Sequence, residues 1–438
     1  MYLFGENNST VSWRFDFSLI LLPYWTLWYS LDMKRIGKLI VDFIKREPVL
    51  FAAILLALVS VCIIRPAPEL CLQAIDFRTL AILFSLMIVI KAFQSQNFLD
   101  FIASRLLRLC KTRRALYFLL TFLVFFTSMF VTNDVALLTF VPISLLIFKR
   151  IKLSSLRLIV LETLAANLGS CFTPMGNPQN LFLFSYYGFS ALEFFALTAR
   201  IAIPSLFILV LIILILTRKK IAKHGGYEEA HELTGNLLQT QRSFVKVDFR
   251  TFFYTADFLL CLLTVFHVVN YLIMLVVTIV IMLVCNFRLF KKVDYSLLLT
   301  FVGFFIFTKT LSTVPAFSNF VQSLLSTPLK TYLTGIAASQ VISNVPAALL
   351  LSGFTQNGAM LLLGVNVGGL GTLIASMASV ISFKLYSANQ NNGSEDFNVA
   401  KGTKATEGTK STHESYFAVF TVYNLVLLLV LGLIVYLV

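Results

Sequence analysis

Along the chain, long apolar runs alternate with short polar or charged breaks. A first apolar span covers Val49 to Ile64 and a second Phe77 to Phe93, followed by an amphipathic segment, Phe98 to Leu109. Two shorter arms, Ala115 to Val131 and Val135 to Phe148, are joined by Thr132-Asn133-Asp134. Further spans cover Leu158 to Phe184, Leu192 to Thr217, Thr251 to Val269, Tyr271 to Cys285 and Ser296 to Leu311. The segment Val314 to Leu329 then leads to a second pair of short arms, Tyr332 to Phe354, with Ser343-Asn344-Val345-Pro346 at its centre. Two last spans cover Ala359 to Tyr386 and Tyr416 to Val438. This pattern predicts an all-α integral membrane protein with about nine transmembrane helices and two helical hairpins.

Two of those spans are interrupted. Between Asn167 and Asn180 stand Gly169, Gly176, Pro174 and Pro178 among amide and hydroxyl side chains, and the later span carries Gly364-Val-Asn-Val-Gly-Gly-Leu-Gly-Thr372. Proline lacks the amide hydrogen and clashes with the preceding turn, so the first of these helices must break. In hydrocarbon each freed backbone group needs a partner, so such a break is tolerated only where protein buries it or a wet cavity meets it. The hairpin arms at 115–148 are about 17 and 14 residues, short of the roughly 20 that a crossing helix needs, which favours a re-entrant hairpin with its tip at mid-depth. Two thin full spans with an external tip are the alternative.

Charge orients the chain. Lys34, Arg35, Lys38, Lys45 and Arg46 precede the first span, Arg113 and Arg114 precede the first hairpin, Lys149, Arg150 and Lys152 follow it, and Arg218, Lys219, Lys220 and Lys223 follow the fourth span. Basic residues collect on the cytoplasmic side, which puts the N-terminus there. By the same rule the second span runs inward and the seventh outward. The order of elements then repeats: span, amphipathic segment, hairpin, broken span, closing span. The same spacing separates Asp76 from Lys91 and Asp294 from Lys309, and Asn167-Leu-Gly169 is echoed by Asn366-Val-Gly368. The two halves therefore read as inverted-topology repeats, whose broken elements meet near the midplane and whose symmetry supplies two access states.

The expected organisation is an N-terminal cytoplasmic or interfacial segment over 1–48, a first repeat over 49–217 with its hairpin at 115–148 and broken helix at 158–184, and a cytoplasmic linker over 218–250. The second half, 251–438, holds its repeat over 271–438, a hairpin at 332–354, a broken helix at 359–386 and an Asn/Gly/Ser/Thr/Lys-rich loop over 387–414 expected to be disordered. Met33 opens a Met-Lys-Arg-Ile-Gly-Lys run and is a second candidate start, so residues 1–32 stand apart from the expected core.

Composition narrows the class. The chain is 58% hydrophobic and only 13% charged, unlike a soluble domain with about a quarter charged. Its net charge of +14 sits beside apolar spans with no basic-aromatic face, so nucleic acid is not an expected partner and the lipid bilayer is. Six cysteines without a CxxC pair, Cys171 among them, read as small packing residues. The four histidines, His224, His231, His267 and His413, lie outside the interrupted stretches and support neither a metal centre nor a histidine relay. No paired membrane aspartates, HExxH or Ser/His dyad is visible, so an intramembrane enzyme is a remote alternative. No cofactor is expected.

Broken helices expose N–H groups that attract anions and carbonyls that attract cations, so paired tips and breaks suit a small anion held beside Na⁺. The oxygen ligands offered are Ser128, Thr132, Asn133, Asp134, Thr173, Asn177, Ser339, Ser343, Asn344, Asn366 and Thr372, and Asn167, Gly169, Gly176 and Asn180 frame the first break. Asp134 is an acid at a predicted hairpin tip, which points to a cation or a proton; an N-cap for the second arm is the plainer role. Lys91 and Lys309 read as snorkelling to the headgroups rather than touching substrate, and Glu162 as an interfacial acid of no special role.

Thr132-Asn133-Asp134-Val-Ala-Leu-Leu, Gly169-Ser-Cys-Phe-Thr-Pro-Met-Gly-Asn-Pro-Gln-Asn180 and Ser343-Asn-Val-Pro346 resemble the ion transporter superfamily, the group of divalent-anion/sodium symporters, citrate transporters and arsenite permeases. Within it the chain after Met33 looks most like bacterial YbiR-like permeases of the citrate-transporter type. The resemblance implies sodium and carboxylate held by Ser-Asn-Thr hairpin tips, which carries over to Thr132-Asn133-Asp134 and Ser343-Asn344-Val345, and ion sites in the broken spans, which points to Gly176 and Asn177 and, more loosely, to Asn366 and Gly368. A Na⁺ site would then draw on Asn133, Asp134, Gly176, Asn177, Ser343 and Asn344. The third tip position departs from that pattern, being Asp in one half and Val in the other, which weakens a dicarboxylate substrate. The expected protein is a secondary active transporter in the bacterial plasma membrane that moves a small inorganic or organic anion, coupled to Na⁺ or H⁺. Na⁺/H⁺ antiport on Asp134 is the alternative, and a homodimer is left open.

Overall fold

The computed structural model describes residues 41–107, 110, 112–151, 153–218, 248–400 and 415–437. Among them the regular structure is helical throughout, with no strand. The elements of the first half are α1 (Pro48–Ile64), α2 (Pro68–Ala74), α3 (Phe77–Ser95), α4 (Phe98–Leu107), α5 (Arg113–Thr127), α6 (Asn133–Arg150), α7 (Leu156–Ser170), α8 (Pro178–Tyr187) and α9 (Ala191–Leu216). Those of the second are α10 (Phe249–Val265), α11 (Tyr271–Asn286), α12 (Tyr295–Ser312), α13 (Pro315–Leu324), α14 (Pro328–Ile342), α15 (Asn344–Ser352), α16 (Gly358–Gly368), α17 (Met377–Ala400) and α18 (Tyr416–Leu437).

Among the described residues, five stretches are long and apolar enough to cross a membrane: Phe77–Ser95, Ala191–Leu216, Tyr271–Lys292, Tyr295–Ser312 and Tyr416–Leu437. They leave Phe207, Leu211, Ile215, Val276, Val284, Leu429 and Leu433 exposed, the outer surface expected where the solvent is lipid. Four predicted spans are absent from this set: α1 and α10 are 17 residues each, and the other two are each divided between two helices, α7 with α8 and α16 with α17.

Helix starts follow local chemistry. The carboxylate of Asp76 accepts from Thr79 N at 3.0 Å to cap α3, and Asp294 accepts from Leu297 N at 3.0 Å to cap α12. Thr112 caps α5 through Ala115 N, and Thr327 caps α14 through Lys330 N. Each predicted repeat thus opens its first span and its hairpin with the same residue type in the same role.

Packing follows a matched pattern. α5 lies on α7 as α14 lies on α16, and α6 lies on α7 as α15 lies on α16. The halves also exchange partners: α6 packs against α17 while α15 packs against α8, and α1 packs against α12 while α10 and α11 pack against α3. The buried apolar residues form two clusters, one centred on α5, α6 and α7 with α17 and α18, the other on α3, α8, α10, α11 and α12 with α15 and α16. The first broken helix contributes α7 to one cluster and α8 to the other, while α16 places residues in both, so the breaks lie where the clusters meet.

Three expectations change. The second hairpin starts at Pro328, not Tyr332, because proline at the first helical position and the Thr327 cap nucleate a turn earlier. The later break falls at 369–376 instead of 364–372, so Gly364 and Asn366 are helical; Gly371, at φ +103°, is the residue that turns the chain out. Residues 387–400, expected to be disordered, continue α17 to Ala400; the stretch has no proline, and propagating an existing helix is easier than nucleating one. The expected loop over 401–414, the linker over 219–247 and the segment before residue 41 lie outside the described residues.

Candidate functional site

The first hairpin ends against the first break. Thr132 holds the N-cap position of α6, so Asn133 and Asp134 form its first turn, and Asn133 N donates to Gly176 O at 3.2 Å. The Asn133 side chain donates to Asn167 Oδ1 at 3.3 Å. Gly176 is required here, since a Cβ would sit 2.1 Å from Ser170 O. Thr173 donates its hydroxyl to Met129 O, tying the break to the end of the first arm.

Carbonyls freed by each break are stapled by one amide side chain. Asn180 Nδ2 donates to Cys171 O at 2.9 Å and Thr173 O at 3.1 Å. In the second half Gln340, on α14, donates to Gly368 O at 2.8 Å and Leu370 O at 3.0 Å, and accepts from Thr372 N at 2.9 Å. Both supply donors to backbone carbonyls that the break has freed inside the protein. Thr372 is exposed and bound to Gln340, which places its hydroxyl away from the crossing.

The two broken helices cross by reciprocal bonds. From α7, Asn167 Oδ1 accepts from Ser376 Oγ at 2.9 Å and Asn167 Nδ2 donates to Ser379 Oγ at 3.3 Å, both in the second half. From α16, Asn366 Nδ2 donates to Asn180 Oδ1 at 2.7 Å and Asn366 Oδ1 accepts from Asn177 Nδ2 at 3.3 Å, both in the first. One offset in the chain relates Asn167 to Asn366, Asn177 to Ser376 and Asn180 to Ser379. Ser376, Ser379 and Gln340 are absent from the sequence candidates; a serine or glutamine carries no mark of its own, but that shared offset would have found the two serines.

Each hairpin is held close by a glycine. A Cβ on Gly169 would lie 2.1 Å from Phe125 O and 2.6 Å from Ser128 Oγ, and one on Gly368 would lie 2.7 Å from Ser339 Oγ. Ser128 and Ser339 donate to Phe125 O and Gly335 O of their own helices. At the second tip Ser343 adopts φ 74° and ψ 156°, a region that residues other than glycine seldom enter, and its hydroxyl donates to Ala375 O at 3.3 Å. Asn344 lies beside Gly369, a Cβ on which would come within 2.9 Å of Asn344 Nδ2.

A cavity of about 160 Å³ opens beside this crossing, lined by Thr132 and Asp134 of the first tip, Asn177 and Pro178 at the start of α8, Lys91 of α3 and Asp294, on otherwise apolar walls. Lys91, expected to snorkel, lines this cavity with Asp134; Lys309, its counterpart, is exposed. The N-terminal turns of α6 and α8 and the Lys91 ammonium favour negative charge there. Asp134 Oδ1 is shielded from solvent and has no hydrogen-bond partner, a fit for a cation or a proton. Ser343 and Asn344 do not line this cavity. Among the described residues no cluster of three or more His, Cys, Asp or Glu side chains is placed to hold a metal. Glu162, expected near the interface with no special role, is fully buried against Ser144.

Residues 43–360 match the citrate transporter family model, CitMHS. The chain belongs to the citrate transporter family. It is 33% identical over 326 residues to the uncharacterized transporter MJ0456 of Methanocaldococcus jannaschii, an alignment covering 73% of this chain and 84% of that protein. It is 30% identical over 321 residues to the inner membrane protein YbiR of Escherichia coli, covering 73% and 82%. A shorter match, 27% over 150 residues, covers 34% of this chain and 18% of the mouse P protein. Family and relatives make this chain a multi-pass membrane permease for a small molecule, not an enzyme.

Proposed function

We propose that this citrate transporter family member is a secondary active transporter that carries a small anion through the bacterial plasma membrane, coupled to Na⁺ or H⁺, by alternating access between inverted repeats, with its N-terminus in the cytoplasm. The observation that carries this reading is the reciprocal crossing of Asn167 and Asn366, each bonded to the other half's broken helix beside the Lys91–Asp134 cavity. Exchanged packing of the halves and their matched caps support the repeats, and the docking of Asn133 N on Gly176 O supports re-entrant tips. In the cavity Lys91 and the helix starts attract the anion, while Asp134 takes the coupling cation or proton and offsets the local charge.

Family membership makes citrate the first anion to try. Purified protein in liposomes should accumulate labelled citrate, or another carboxylate or oxyanion in a competition series, when a Na⁺ or proton gradient is imposed. No uptake of any anion under either gradient would sink the reading. The partnerless Asp134 Oδ1 also favours a second reading, Na⁺/H⁺ antiport. It is distinguished by dye-reported proton movement on adding Na⁺ without an anion.

A further inference from the structure

A second buried acid stands apart from the cavity. Glu162 lies in the middle of α7 with 0% of its surface exposed. Its Oε1 accepts from Ser144 Oγ of α6, and its Oε2 is buried without a hydrogen-bond partner. No ion pair to Glu162 occurs among the described residues.

α5, α6, α9, α17 and α18 pack on α7, whose other charged residue, Arg157, stands five positions before Glu162. From α5, Arg113 lies 5.4 Å over the Tyr117 ring, and Arg114 donates to Thr217 beyond the end of α9. α6 carries Asp134 in its first turn and Lys149 in its last, on either side of Ser144. α9 carries Glu193 and Arg200, and α17 carries Lys384 and Tyr386, whose ring packs 5.0 Å from that of Tyr416. α18 brings Tyr416 itself, which lies within electrostatic range of Glu162, and its other tyrosines are Tyr423 and Tyr436. A carboxylate buried with one hydroxyl donor and no ion pair is far costlier than the neutral acid, which carries no charge to desolvate.

We propose that Glu162 is a proton-binding site of the transport cycle, separate from the Lys91–Asp134 cavity, and that the conformation described here is its protonated state. This rests on the transport reading above. The proton bonds to Oε2, the oxygen without a partner, while Oε1 keeps the Ser144 hydroxyl; on release the proton passes to water and the carboxylate forms. The position suits coupling. Thr163, the next residue, bonds to Ser382 at 2.5 Å, Ser382 bonds to Tyr416 at 3.0 Å, and one helical turn along α7 Asn167 bonds to Ser379. Glu162 thus borders the polar row that joins α7 to α17 and ends in the crossing. Asp257 is also fully buried, bonded to Thr278 at 2.8 Å, but that contact links the neighbouring helices α10 and α11 outside this row.

The test is infrared difference spectroscopy of the full chain in lipid, titrated from mildly acidic to mildly alkaline pH. Wild type should show a protonated-carboxyl carbonyl band that bleaches as pH rises. The band is lost in Glu162→Gln and returns, shifted, in Glu162→Asp; Asp257→Asn separates the band of that residue. A Glu162→Gln spectrum superimposable on wild type overturns the proposal, as does a Glu162 band that never bleaches, which would make the acid a fixed structural donor. In liposomes, proton movement accompanying citrate uptake, read by an entrapped pH dye, should be lost in Glu162→Gln; undiminished movement also overturns it. If wild type moves no citrate or other anion, the transport reading fails and the infrared result alone decides whether Glu162 binds a titrating proton.

Discussion

The Asn366 side chain donates to Asn180 Oδ1 at 2.7 Å, joining two broken helices that lie 186 positions apart in the chain. Asn366 also donates to Leu362 O and accepts from Asn177, so a single amide serves its own helix and two residues of the other half. The mirrored bonds of Asn167 make the crossing a pair of contacts that hold or release together.

Asn366→Ala should therefore cost about 1–3 kcal/mol of stability, because Asn180 Oδ1 is left buried without its donor and Asn177 Nδ2 keeps only Ser170 Oγ at 3.4 Å. Asn167→Ala should behave alike, and the double variant should fall short of the sum, since both remove one shared element. Thermal unfolding in detergent, scored for all three variants, checks this; strict additivity would mean that the two crossings are independent.

Glycine substitutions separate backbone from side-chain contacts. Gly169→Ala presses on Phe125 O and should destabilise by about 1–3 kcal/mol whatever stands at position 128. Gly368→Ala presses first on Ser339 Oγ, so Ser339→Gly should recover part of that loss. Equal rescue of Gly169→Ala by Ser128→Gly would contradict the close approach to the Phe125 carbonyl.

Within the cavity, Lys91→Met should weaken apparent citrate affinity about ten- to a hundredfold, the worth of a charge-assisted contact, with normal membrane insertion. Asp134→Asn should abolish the dependence of uptake on the cation or proton gradient. Asn133→Ala and Asn344→Ala should each abolish transport. Near wild-type uptake in both asparagine variants would remove the hairpin tips from the site.

Gln340→Leu should uncover the Gly368 and Leu370 carbonyls in the second break, at about 1–3 kcal/mol for each group left buried without a donor. Asn180→Leu should do the same at the first break and also cut the crossing, so it should be the worse of the two. Comparing their melting temperatures checks the order.

Much of this was legible in the chain itself. The apolar runs, the prolines Pro174 and Pro178, and the amides at 133, 167, 177, 344 and 366 marked the helices, the first break and both hairpin tips, because a bilayer leaves an unpaired backbone group few options. Breaks rich in glycine alone were harder to bound. Glycine permits a turn without demanding one, so Gly364 stays helical while Gly371 turns.

What the sequence determined by itself was the class, an all-helical membrane permease, and the list of interrupted stretches, since hydrophobic length and helix breaking are local properties. Only the tertiary structure decided partners. It placed Lys91 in a cavity wall with Asp134, set Gln340 as the staple of the second break, brought Ser376 and Ser379 to Asn167, and buried Glu162 against Ser144. Which face of a buried helix meets which neighbour depends on packing between residues far apart in the chain, and no periodicity within one helix records it. The stretch from Asn167 to Asn180 shows both sides: its break was written in proline and glycine, and its crossing with Asn366 appears only when the two halves meet.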